Sequence, residues 1–121
     1  FRNYSLARIF NLFIHYELNN KDLLEYIVKS THRYLIKNNK LNKFEPLVIN
    51  FLKDTLSNDY SKEGRIRRML KLKQDILKIY NDPLEKYSID FFDLISWIES
   101  KIQDKPFAEI IREKSRSFSK Q

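Results

Sequence analysis

An all-α fold is predicted for this 121-residue chain by three observations. Apolar residues recur at helical spacing along almost the whole length. No segment sustains the strict apolar/polar alternation of a half-buried strand, and a single Gly leaves little material for hairpin turns. The periodic runs are separated by short polar breaks of about two to six residues, which force neighbouring helices to run antiparallel. Five long helices and a short sixth are therefore expected, arranged as an irregular bundle or as a right-handed α-α superhelix. They are expected to form one domain over residues 1–113, followed by a flexible basic tail over residues 114–121.

The first helix is expected from about Tyr4 to Leu18, with Leu6, Ile9, Phe10, Phe13 and Ile14 as its inward stripe and Asn19-Asn20 as the turn that ends it. The second runs from Lys21 to about Lys37 and carries Leu24, Ile27, Val28, Thr31, Tyr34 and Leu35 on one side, with Asn38-Asn39 closing it. Pro46 fits the first turn of a third helix, where its missing N–H needs no partner; Leu47, Val48, Phe51 and Leu52 follow in step. Residues 62–80 form the fourth, with Gly64 in its first turn and Ile66, Met69, Leu70, Ile76, Leu77 and Tyr80 as apolar members. The fifth has the clearest start: Asp82 as N-cap, Pro83 at the first helical position, and Glu85 placed to reach back to the cap. Its stripe is Leu84, Tyr87, Phe91, Leu94, Ile95, Ile98 and Ile102. After Asp104-Lys105-Pro106 comes the short sixth, from Phe107 to about Glu113.

Composition narrows the function classes. Twenty-three Lys and Arg against sixteen Asp and Glu leave a net charge of +7, which permits attraction to nucleic acid, anionic lipid or an acidic protein. Fifteen of these bases are Lys, and they travel with many Asn and Ile, a trio that A/T-rich codon usage also produces. The absence of Cys removes zinc knuckles, iron–sulfur clusters and thiol nucleophiles. No apolar run approaches the roughly 18 residues of a membrane span, so a soluble protein without membrane contact is expected, with the cytoplasm as the default location. The chain opens on Phe1 and enters an apolar-periodic run at once; it is expected to be the C-terminal module of a longer chain.

Within residues 12–37, the features His15-Tyr16-Glu17-Leu18, Asn19-Asn20 and Asp22-Leu23-Leu24-Glu25-Tyr26 resemble a degenerate tetratricopeptide-type helical hairpin, which ends its first helix in a Tyr-rich turn and restarts with an acid and paired apolar residues. Leu12, Leu24 and Thr31 stand where that family places small residues. The segments FEPLVINFLKDTL and DPLEKYSIDFFDLISWIESKIQDKPFAEIIREK resemble the C-terminal end of large uncharacterised helical-repeat proteins from bacteria of the Bacteroidetes type. The resemblance implies a superhelical scaffold whose terminal helices close the stack, and it transfers no catalytic residue.

Chemistry-bearing constellations are sparse. His15 and His32 stand at heights differing by roughly 10 Å on paired helices, too far apart to share a metal, and no other donors converge on them. His15 and Glu25 are expected to meet across the Asn19-Asn20 turn in a hydrogen bond. Asp90 and Asp93 share one expected helix with Lys101 on a solvated face, without the pocket that acid–base work requires. One Gly cannot build a phosphate-binding loop. No catalytic residue, cofactor or metal is expected.

Two surfaces remain as candidates. Leu12 and Tyr16 extend the apolar surface of the first helix beyond its stripe, and together with Tyr4 and Tyr26 they form the candidate interface for a protein partner or for preceding repeats of the same chain. Lys62, Arg65, Arg67, Arg68, Lys71 and Lys73 form the candidate polyanion patch on the fourth helix, wrapped around it rather than drawn into a stripe. Trp97 is expected at the border of the fifth helix, covered after the Pro106 bend.

Overall fold

The computed structural model describes the backbone of residues 2–38, 43–91 and 93–119, and the side chains of 6–38, 43–91 and 93–117. The described residues form seven helices and no strand: α1 (Arg2–Glu17), α2 (Lys21–Lys37), α3 (Phe44–Ser57), α4 (Lys62–Ile79), α5 (Pro83–Phe91), α6 (Leu94–Gln103) and α7 (Phe107–Ser119). Within the span expected to be one domain they make two compact units, residues 1–60 and residues 61–121.

In the first unit α2 packs against both α1 and α3. The corner between α1 and α2 forms at the polar pair: Asn19 takes φ 56°, a left-handed conformation that Asn tolerates, and Asn20 caps α2 by accepting the Leu23 N–H. Leu24, Val28, Thr31 and Leu35 are the buried stripe of α2. The Arg8 guanidinium of α1 lies 3.8 Å from the centre of the Tyr34 ring, a cation–π contact that ties α1 to α2. Pro46 sits in the first turn of α3, and Phe44, Val48, Ile49, Phe51 and Leu52 are buried behind it. Each such side chain contributes about 1.5–3 kcal/mol when fully removed from water. Asn39, half of the pair expected to close α2, lies outside the described residues; Asn38 alone caps that helix, its Nδ2 donating to the Tyr34 carbonyl at 2.8 Å.

In the second unit α6 packs against α4, α5 and α7. Ser61 caps α4 by accepting the Gly64 N–H at 3.2 Å, and Met69, Leu72 and Ile76 form its buried stripe. Asp82 caps α5 as expected, accepting the Leu84 N–H at 3.1 Å.

The fifth expected helix is two helices. Asp93 adopts φ 50° and ψ 58°, which no continuing α-helix allows, and its carboxylate accepts the Ser96 N–H at 3.3 Å to start α6 afresh. The stripe expected to run unbroken from Leu84 to Ile102 is therefore divided. Leu94 and Ile98 are buried with Trp97, whereas Leu84, Tyr87 and Phe91 are exposed and α5 buries Glu85, Ser88 and Ile89. The helix after Pro106 is also longer than expected, continuing past Glu113 to Ser119.

Candidate functional site

The expected interface around Leu12 does not assemble. Leu12 is fully buried, Tyr16 is half-buried, and Tyr26 is exposed on the side of α2 opposite Leu24, Val28, Thr31 and Leu35. The Tyr4 side chain lies outside the described residues. At about 100° per residue, Leu6, Ile9, Leu12 and Phe13 form one stripe of α1, and Phe10, Ile14 and Leu18 form the adjacent one. The first is buried; in the second Phe10 and Ile14, both expected to face inward, are exposed at 45% and 42%, and Leu18 at 66%. Desolvation explains the choice, because burying the second stripe would also draw its flanking residues Asn11 and Glu17 out of water, and both remain exposed.

A largely apolar outer surface results on α1, with Glu17 at its edge. Ala7, Phe10, Asn11, Ile14 and Leu18 are all exposed on that side. On α5 the exposed Leu84, Tyr87 and Phe91 recur at three- and four-residue spacing, and the Tyr87 and Phe91 rings stack at 6.2 Å with a 45° tilt.

The six bases expected to form a polyanion patch are dispersed around α4. Lys73 reaches Glu99 of α6 at 3.0 Å, Lys71 pairs with Asp75 at 2.9 Å, and Lys62 stands 3.9 Å from Asp104. Arg65 and Arg67 are exposed, whereas Arg68 is half-buried with its Nε enclosed. Arg67, Lys71 and Lys78 do share the exposed side of the helix.

Glu99 joins three helices. Its Oε1 lies 2.6 Å from Lys114 Nζ and its Oε2 3.0 Å from Lys73 Nζ, and the same Lys114 donates to Ser96 Oγ at 2.8 Å. Burial pushes the Glu99 carboxyl up, but the hydrogen bonds and charges of Lys114 and Lys73 outweigh it and hold the group below the usual carboxylate range. The cluster joins α4, α6 and α7. Nothing in the spacing of Lys73, Glu99 and Lys114 announces it, and Lys114 falls in the segment expected to be a tail.

The two imidazoles are far from any shared site. His32 Nδ1 accepts a hydrogen bond from Lys53 Nζ at 2.8 Å, between α2 and α3. Burial and then the Lys53 charge lower its pKa, which favours the neutral ring with the proton on Nε2. The expected His15–Glu25 bond does not form: His15 Nδ1 is enclosed with no hydrogen-bond partner, and Glu25 pairs with Lys29 at 3.3 Å. Asp90 and Asp93 have separate structural tasks. Asp90 accepts the Tyr80 hydroxyl at 2.7 Å and Asp93 caps α6.

Among the described residues no three His, Asp or Glu converge as a metal site, and no helix is long and apolar enough to cross a membrane. Compared with protein-family models, curated proteins and solved structures, the chain matches none.

Proposed function

We propose that this chain is a non-catalytic helical module, related in design to a degenerate tetratricopeptide-like hairpin, that holds a protein partner against α1. The observation that carries this reading is the outward stripe of Phe10, Ile14 and Leu18, lying beside a stripe already buried in the core. Its neighbours Ala7 and Asn11 bring no charge and Glu17 stands at the far edge, so the partner surface that fits is mostly neutral and apolar, and the small Ala7 side chain lets a helix approach closely. Covering three large apolar side chains contributes roughly 25 cal/mol per Å² removed from water. The exposed Leu84, Tyr87 and Phe91 of α5 provide a second surface of the same kind, rich in the aromatic residues that interfaces favour.

A photo-crosslinking side chain at position 14, in protein expressed in its native cells, tests the reading. One discrete protein adduct is expected, lost when Phe10 and Leu18 are both replaced by Ser while helix content is unchanged. No adduct, or one indifferent to the two substitutions, rejects it.

A further inference from the structure

We infer that the outward side of α4 docks an acidic amphipathic helix, a partner of different chemistry from the neutral surface proposed for α1 and independent of it. Leu70 and Leu77 are 42% and 48% exposed on a helix whose buried stripe is already complete with Met69, Leu72 and Ile76. Seven residues separate them, so they stand two turns apart on one side, about 10 Å from each other. Arg67 precedes Leu70 by one turn, and Arg67, Lys71 and Lys78 stand together about 60–120° around the helix from the leucines, so a basic row runs along one edge of the leucine pair.

The charge on this face is only partly met from within. Lys71 and Lys78 both draw on the single carboxylate of Asp75, at 2.9 and 4.0 Å, and Arg67 is exposed. Along the whole of α4, seven basic residues stand against two acidic ones. A helix with apolar residues at three- and four-residue spacing and Asp or Glu along one flank satisfies both features at once: its apolar row covers Leu70 and Leu77 while its carboxylates meet Arg67, Lys71 and Lys78. A phosphate backbone answers the charges but gains nothing from two exposed leucines, which is why an acidic helix is the favoured occupant over nucleic acid.

The test uses the full chain and a labelled synthetic helix of about 18 residues with Leu on one side and Glu along one flank, read by fluorescence anisotropy. Saturable binding is expected. It should weaken about tenfold when the peptide leucines become Ser, about tenfold in the protein variant Leu70→Ser/Leu77→Ser, and similarly in Arg67→Glu, with binding to the parent falling as salt rises. Both leucines are outside the core, and circular dichroism of each variant confirms that the helices remain. Absence of binding overturns the inference. So does binding that ignores Leu70 and Leu77, and so does tighter binding of mixed-sequence DNA that is insensitive to the leucine substitutions, which would assign the face to a polyanion.

Discussion

Glu99 receives two ammonium groups, from Lys73 and Lys114, and its two oxygens are divided between two other helices. Removing its charge leaves both lysines with weaker partners, while the amide of Gln can still accept one hydrogen bond. Glu99→Gln is expected to lower the unfolding free energy by about 1 kcal/mol, measured by urea denaturation. The cost should shrink to within error when Lys73 and Lys114 are both Met, because the bonds it would break are already absent. A full loss that persists in that background would show that Glu99 acts through something other than these lysines. Sequence spacing could not reveal the cluster. Its members are 15 and 26 residues apart and meet only because α6 packs against both α4 and α7.

At the scale of the element, the break between α5 and α6 rests on Asp93, which supplies both a left-handed backbone and a side-chain cap for Ser96. The two contributions are separable by substitution. Asp93→Ala loses the cap together with the short polar side chain that lets Asp accept the left-handed backbone, so a loss of about 2 kcal/mol is expected. Asp93→Gly also loses the cap but frees the left-handed backbone of its Cβ and should cost about half as much, and Asp93→Asn, which keeps both the cap and the tolerance of this conformation, should be nearly neutral. Equal losses for Ala and Gly in urea unfolding would remove backbone conformation from the account. The helix starts at Asp82-Pro83 and Asn19-Asn20 were legible because their residues have strong local preferences. The break at Asp93 was not, since Phe91-Phe92-Asp93-Leu94 contains neither Gly nor Pro and continues the apolar period; Asp followed three residues later by Ser is the faint cap signal. In α1 the apolar residues cover more than half the circumference, so periodicity identified a helix but could not choose between the stripe of Leu12 and the stripe of Ile14. What chose was the flanking polarity of Asn11 and Glu17.

At the scale of the whole molecule, each compact unit carries its own acid-sensitive contact, and the two respond in different pH windows. In the first unit His32 is held below its ordinary pKa, so the unfolded chain binds the proton more readily; stability is full above the ordinary imidazole range and falls as acid passes through it towards the depressed folded value. Protonation there also places a second cation 2.8 Å from Lys53 Nζ. In the second unit Glu99 is held below the ordinary carboxylate range, so its contribution survives mild acid, is full above that range, and is lost as pH falls from it through the lowered folded value. Acidification should therefore weaken the first unit before the second. The sole Trp, Trp97, is buried in α6 and reports on the second unit alone, while amide exchange in α2 and α3 reports on the first. Between neutral and mildly acidic pH, exchange in α2 and α3 should quicken while Trp97 emission stays native, and His32→Gln should abolish that quickening. Trp97 emission changing together with α2 exchange would mean that the units unfold as one body, and persistence of the effect in His32→Gln would place the titrating group elsewhere in the first unit.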